Sequence, residues 1–339
     1  MAAPTAEAAP TALPVLADSV RLTGDGVHIL DRRVFPARRE WVRCTTVEQV
    51  AKAIEDMVTQ SSGPYFATLW GMVLAARQAV DTPDPLAHLR RAGERLIATR
   101  PTNDQPRRAV RAVLSAVDTT DVVGSVLAGA RAADERYRAR SLALGAHTAA
   151  LLPDGASVLT HCWADLYLVG LVVAARAAGK TFTFHCTETR PYLQGARLTA
   201  QALAEMGVAT TLVTDGTGAA VLAGGRVDAL VTAADRVTMD GHVVNKVGTL
   251  GLAIAAHAYD VPFLAMVQAP DRHAPTAADV PIEYRAGAEV LAAAGVTHPG
   301  IRGLYPAFDV TPPRFVTTVV TDRGPFAPDA LARYHLEQS

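Results

Sequence analysis

Five short polar motifs follow one another between residues 159 and 249: Leu159-Thr160-His161-Cys162, Thr187-Glu188-Thr189-Arg190-Pro191, Gln194-Gly195-Ala196-Arg197, Ala234-Asp235-Arg236 and Asn245-Lys246. Most stand just after an apolar, β-like run. In a chain of alternating strands and helices, the carboxyl ends of parallel strands face one crevice, where ligands bind. A thiol, a carboxylate, an amide, a lysine and arginines would converge there from distant positions. That is the pattern of an enzyme site.

Each group has a chemical reading and a plainer one. Cys162 lies before a helical run, so a helix N-terminus would lower its pKa and ease proton transfer; alternatively it is a small buried hydrophobe. Asp235 follows the apolar run 230–234. Partly buried, it would keep its proton and act as a general acid; otherwise it caps an element or pairs with Arg236. Asn245-Lys246 precedes a helix opening with Val247-Gly248-Thr249, where backbone N–H groups, the dipole and an ammonium favour an anion such as phosphate. Arg100, Arg190 and Arg197 offer fork-like donors for phosphate oxygens, or are ion-pair residues. Gln194 can bind sugar hydroxyls or cap a helix. Glu188 can anchor Arg190 or a partner subunit. Cys186 lies in an apolar run with Phe182 and Phe184 and reads as core, and Cys44 carries no signal.

The elements that would position these groups fall into two regions. Residues 1–14, rich in Ala, Pro and Thr, read as a disordered tail without a secretory signal. Residues 15–148 read as a mostly helical domain. A hairpin over 20–30 turns at Gly24-Asp25-Gly26, and helical periodicity covers 46–57, 66–79, 85–98, 105–117 and 122–144, with Thr45 or Thr46 capping the first. After Pro153-Asp154-Gly155, β-like runs at 156–160, 181–186, 209–213, 228–232 and 262–267 alternate with helices at 166–178, 195–206, 218–223 and 247–259. Asp240-Gly241 marks a hairpin after the fourth run, and 315–320 offers a further strand. Residues 149–335 therefore read as a doubly wound, mainly parallel-sheet α/β domain of Rossmann-like type.

Composition excludes several classes. The chain has 339 residues, 19% charged, with formal net charge −1 and a pI near 6.8. This balance gives no nucleic-acid footprint and no basic membrane patch, and the apolar runs are too short to span a bilayer. Three cysteines without a Cys-x-x-Cys point to a reducing cytoplasm with neither disulfides nor a structural zinc. His161, His185 and Cys186 have no metal-ligand spacing. No Gly-x-Gly-x-x-Gly follows the first strand and no P-loop occurs, so no nucleotide cofactor is expected.

The motifs, with Glu188–Ala200 as a block and Pro306-Ala307-Phe308-Asp309-Val310-Thr311-Pro312-Pro313 near the C-terminus, resemble the methylthioribose-1-phosphate isomerase family. Its superfamily also holds ribose-1,5-bisphosphate isomerase and regulatory subunits of the translation initiation exchange factor. The resemblance implies conversion of an aldose 1-phosphate to a ketose 1-phosphate, without metal or nucleotide, in a homodimer. It places Cys162 and Asp235 as catalytic residues and Gln194, Asn245 and Lys246 as substrate-binding ones. It also puts Arg100, in Arg100-Pro101-Thr102, on the phosphate.

Departures concern the shell. Where the family carries Arg-Gly-Ala-Pro, this chain has Gln60-Ser61-Ser62-Gly63-Pro64. Loss of that arginine is expected to weaken phosphate binding by about 1.5–3 kcal/mol, with Ser61, Ser62 and backbone amides compensating in part. Asn103-Asp104-Gln105 also differs from the usual continuation. The family's Asn-x-Gly after the cysteine is Trp163-Ala164-Asp165 here. Trp163 lines the pocket against an apolar substituent or packs in the core; Asp165 perturbs Cys162 or caps the next helix. The implied substrate is a 5-substituted or 5-deoxy ribose 1-phosphate, and the alternative function is a non-catalytic sugar-phosphate or nucleotide sensor.

Overall fold

The computed structural model describes residues 12–100 and 104–336. Most of the expected tail and the Pro101-Thr102-Asn103 stretch lie outside the described residues. An antiparallel meander comes first: β1 (Val20–Thr23), β2 (Gly26–Leu30) and β3 (Trp41–Cys44). The turn at Gly24-Asp25-Gly26 joins the first two strands, with Thr23 opposite Gly26. The third strand pairs Val27 with Cys44, a placement its four residues did not announce.

Five helices follow: α1 (Val47–Glu55), α2 (Gly63–Ala79), α3 (Pro85–Ala98), α4 (Gln105–Leu114) and α5 (Val122–Leu151). Thr46 and Gln49 close a capping box on α1, which satisfies two otherwise orphaned N–H groups. Almost every residue of α2 is buried, because α1, α3, α4 and α5 all pack around it. The longest helix, α5, runs beyond the expected residue 144 to Leu151. It stops where Leu152 turns extended (ψ 138°) ahead of Pro153, as the proline ring requires of its predecessor.

The rest of the chain alternates. β4 (Ser157–Thr160), α6 (Asp165–Ala177), β5 (Thr183–Thr187), a π-helical turn at Gly195–Ala200 running into α7 (Gln201–Glu205), β6 (Thr210–Val213), α8 (Gly218–Ala223) and β7 (Ala229–Ala233) come first. Then come β8 (Arg236–Val237), β9 (Val243–Lys246), α9 (Thr249–Ala258), β10 (Phe263–Met266), β11 (Tyr284–Arg285), α10 (Gly287–Ala294) and β12 (Tyr305–Pro306). The last elements are β13 (Phe308–Thr311), β14 (Thr318–Thr321), β15 (Gly324–Phe326) and α11 (Ala332–Leu336).

The main sheet has the order β15-β14-β10-β7-β4-β5-β6. Every pairing is parallel except that of β15. The chain thus starts in the middle, winds outward through β5 and β6, then returns to β7 and winds the other way. The direction reverses between β4 and β7, which pair through Val158↔Ala229 and Leu159↔Leu230. A crevice must open there, outside the carboxyl ends. A small antiparallel sheet, β13-β9-β8, sits over this end. It is built by the hairpin at Asp240-Gly241, with Gly241 at φ +87°.

Helices α5 and α6 fix the helical region to the sheet. A Cβ on Gly145 would lie 2.3 Å from the Gly170 carbonyl carbon and the Leu171 nitrogen, so the two backbones touch. Gly145→Ala is expected to destabilise the protein by about 1–3 kcal/mol through overpacking, despite alanine's better helix propensity. Urea unfolding measures this; an unchanged midpoint would refute the close approach. Among the described residues no helix is long and apolar enough to cross a membrane.

Candidate active site

A cavity of about 220 Å³ opens at the reversal point. Cys162 (just after β4), Asp235 (just after β7) and Asn245 and Lys246 (end of β9) line it. So do Gln194, Arg100, Trp163 and the Gln60-Ser61-Ser62 loop before α2. Arg197, Arg190 and Glu188 do not line it: the Arg197 guanidinium donates to the carbonyls of Arg32, Arg33 and Phe35. It clamps the loop after β2 and is not available to substrate. Arg190 is also diverted, donating to Ala293 O at 2.7 Å and pairing with Glu188 at 3.3 Å.

Cys162 adopts a left-handed φ of +64°, which costs a non-glycine residue about 1–3 kcal/mol. Its neighbours hold it there. The Cys162 N–H donates to Thr189 Oγ1 at 2.9 Å, and its carbonyl accepts from the Thr199 hydroxyl. Thr189 is itself fixed by its N–H to Asp215, at 2.7 Å. His161 braces the same turn. Its Nε2 donates to Val247 O at 2.9 Å, so its neutral Nδ1 accepts from the Thr187 hydroxyl at 2.6 Å. The imidazole lies against Gly248, where a Cβ would stand 2.9 Å from ring atoms. Burial lowers the His161 pKa, keeping the ring neutral. It is a brace between β4 and the turn into α9.

The Asn245-Lys246 turn is held from the opposite strand. Asn245 Nδ2 donates to Thr249 Oγ1 at 3.0 Å, and Thr249 donates to Lys246 O at 2.7 Å. Asp309, paired with Asn245 across the small sheet, accepts from Gly248 N at 2.6 Å and Leu250 N at 3.2 Å. Lys246 Nζ stands 4.5 Å from the Phe308 ring centroid, a cation–π contact that holds the ammonium in a fixed place.

Electrostatics overturn one expectation. Burial pushes the Cys162 thiol up to about 11, although Lys246 pulls the other way. The helix N-terminus does not win, because the thiol is enclosed by the cleft and loses more hydration than the dipole returns. Asp235 is exposed to the cleft, but the protein surrounds it, and desolvation raises its pKa, again opposed by Lys246. Lys246 is lowered by the same burial. All three are driven toward their neutral forms. A strand, not a helix, follows Asp235, and Arg236, which reaches Asp271 at 3.5 Å, also lowers the Asp235 pKa. Alkylation of Cys162 by iodoacetamide is therefore expected to be slow at pH 7, rising with pH toward a midpoint near 11. A midpoint below about 8.5, the free-thiol value, would show an activated thiolate instead.

Among the described residues, Gln194 Oε1 and Trp163 Nε1, on buried side chains that line the cavity, lack partners. Such orphans cost about 1–3 kcal/mol each, and a hydroxylated ligand would satisfy both. Gln194 Nε2 donates to Gln60 Oε1 at 3.3 Å. Asp165 departs from the capping expectation. It does not cap α6 with its side chain. It accepts from Ser62 N at 3.0 Å and Ser62 Oγ at 2.6 Å, so those donors are taken.

The sequence reading missed Arg285 and Glu283. Both line the cavity, joined by an Arg285 Nε to Glu283 Oε1 bond of 3.0 Å. Their two-residue strand, β11, gives no periodic signal; the alternation Ile282-Glu283-Tyr284-Arg285 was the available hint. Burial lowers the Arg100 pKa, and Arg285 lowers it further. Among the described residues no group of three or more His, Cys, Asp or Glu is placed to hold a metal ion.

Residues 45–328 match the initiation factor 2 subunit family. A methylthioribose-1-phosphate isomerase of Anaeromyxobacter dehalogenans is 38% identical over 325 residues, 92% of this chain and 93% of that protein. Among solved structures, 5-methylthioribose 1-phosphate isomerase from Pyrococcus horikoshii OT3 superposes with a TM-score of 0.84 at 30% identity, covering 94% of each chain. Translation initiation factor eIF-2B, subunit delta, from A. fulgidus gives 0.81 at 31% identity, covering 94% of this chain and 96% of that one.

Proposed function

The chain belongs to the initiation factor 2 subunit family and is an isomerase of it, and on that premise we propose that it converts a 5-substituted ribose 1-phosphate to the corresponding ribulose 1-phosphate. Methylthioribose 1-phosphate and its 5-deoxy analogue are the substrates to test first. The observation that carries this reading is the meeting of Cys162 and Asp235 on one cavity beside Lys246. A non-catalytic sensor would need neither the acid nor the thiol.

An anomeric phosphate prevents easy ring opening, so an acid must assist. Asp235, whose pKa burial raises, donates its proton to the ring oxygen as the C1–O bond breaks. The C2 hydrogen then moves with its electron pair to C1. The C2 hydroxyl loses its proton to the Asp235 carboxylate, with Cys162 as the neighbouring proton-transfer partner, and C2 becomes the carbonyl. A thiol at about 11 is a poor resting base for the C2 hydrogen, which favours this hydride route over an enolate. Lys246, Arg100 and Arg285 supply the positive field for the phosphoryl group.

NMR of the purified protein with 5-substituted ribose 1-phosphates deuterated at C2 tests both levels. A ketose signal with deuterium retained at C1 is expected. Deuterium lost to solvent would overturn the hydride route alone, and no ketose from any such substrate would overturn the substrate class.

A further inference from the structure

We infer that Asp215, just past the edge strand β6, is a positioning residue for Cys162: acting through Thr189, it sets the turn that presents the thiol to the cavity. This rests on the role given to Cys162 above and carries the site two residues further along the sheet.

Topology sets up a row. β4, β5 and β6 are neighbours in the sheet and pair in parallel. Cys162, Thr189 and Asp215 each stand two residues past the end of one of them. Asp235 stands two residues past β7, on the other side of β4. Four functional groups therefore follow one another across the carboxyl ends. The hydrogen bonds run along the same line. Asp215 Oδ1 accepts from Thr189 N at 2.7 Å, and Oδ2 accepts from Arg190 N at 2.7 Å. Thr189 Oγ1 in turn accepts from Cys162 N at 2.9 Å.

Strain explains why a carboxylate is needed. Cys162 has φ +64° and Thr189 φ +65°. A left-handed φ is an outlier for a β-branched residue, and such a backbone persists only where its surroundings over-determine it. Successive N–H groups turned the same way form a concave anion site, and Asp215 fills this one with both oxygens. Such charge-assisted bonds are about twice as strong as neutral ones. Thr189 is buried, and a Cβ on Gly195 would stand 2.9 Å from its Oγ1. The hydroxyl thus has little room to leave the Cys162 amide. The charge reaches the thiol as well: burial holds the Cys162 pKa high, Lys246 lowers it, and Asp235 and Asp215 raise it. Asparagine at 215 would remove that charge and offer one oxygen to two amides, with its NH2 group facing the other N–H.

Asp215→Asn is expected to lower kcat by up to about a hundredfold, the cost of misplacing a reacting group by about 1 Å. KM should change little, because Asn245 and Lys246 are held by β9 and its partner β13. Iodoacetamide alkylation of Cys162, followed by peptide mass, should move to lower pH than the wild-type midpoint near 11. Thr189→Val, which keeps the shape without the acceptor, should reproduce the kcat loss, and Thr189→Ser, which keeps the acceptor, should recover most of it. The double variant Asp215→Asn/Thr189→Val should lose no more than the worse single one, since residues in one hydrogen-bonded chain are not additive. An unshifted alkylation profile in Asp215→Asn, or a double variant whose loss is the product of the two, overturns the inference. If Asp215→Asn does not fold, equal kcat in Thr189→Val and Thr189→Ser overturns it. If the wild type turns over no 5-substituted ribose 1-phosphate, the substrate class above fails, and the alkylation profile still decides the role of Asp215.

Discussion

Asp235→Asn is expected to lower kcat by about 10²–10⁴-fold, the usual span for loss of a positioned general acid, with little change in KM. Asparagine keeps the size of the side chain and can still bond a sugar hydroxyl, but it has no acidic proton for the ring oxygen. The sign of the pH effect follows from burial. Desolvation raises the Asp235 pKa above the ordinary carboxylate value of 3.8, so the protonated acid persists to higher pH than in water. Wild-type activity should fall as pH rises through that raised value, and the residual activity of the variant should lose this limb. The Asp235 contribution to stability runs in the same direction with pH. A group whose folded pKa is raised favours the folded state below its unfolded pKa and forfeits that contribution as pH climbs through the folded one. Removing the carboxylate should leave the thermal midpoint at neutral pH unchanged or higher. Lost activity with an unchanged or raised midpoint would assign chemistry to Asp235; lost activity with a collapsed midpoint would assign it structure, and full activity would remove it from the mechanism.

The sequence made the sheet legible because a buried parallel strand is an apolar run with its polar residue at the exit. Thr160 and Thr187 close two strands, Asp235 follows the end of a third by two residues, and the motifs start within two residues of those ends. Convergence of Cys162 and Asp235 then followed from topology alone. What escaped depends on contacts between distant positions. Asp165 and Ser62 lie 103 residues apart, and nothing local in either predicts that a carboxylate would take the loop's donors. Arg197 sits in a motif full of candidates, but its guanidinium meets the carbonyls of a loop more than 160 residues away. Arg285 comes from a strand too short to have a period. The thiol pKa was misjudged for another reason: helix field and desolvation act with opposite signs, and only the shape of the cleft decides between them. The spacing from Gly195 to Met206 shows a helix, but not that its first turn is π-helical, widened where Gly195 presses on Thr187 O.

Lys246→Met should weaken binding of phosphorylated sugars by about 10–150-fold, the equivalent of the 1.5–3 kcal/mol of a hydrogen bond to a charged group, and should also reduce kcat. Both effects come from the same ammonium. It is 6% exposed, fixed over the Phe308 ring, and it opposes the desolvation of both neighbouring acids. Without it the Cys162 thiol moves further above about 11 and Asp235 rises as well, so any charge formed during the reaction lies in a less favourable field. Methionine fills a similar volume, and the fold no longer bears the cost of a buried cation; the thermal midpoint should hold or rise. Calorimetry with a sugar phosphate and its dephosphorylated counterpart separates the contributions. Loss confined to the phosphorylated ligand places Lys246 on the phosphoryl group, while equal loss for both would place it on the sugar hydroxyls. The alkylation profile of Cys162 gives an independent reading, since it must shift to higher pH in the variant. An unshifted profile would mean that the ammonium does not act on the thiol, and the three-group arrangement of thiol, carboxyl and amine would then have to be abandoned.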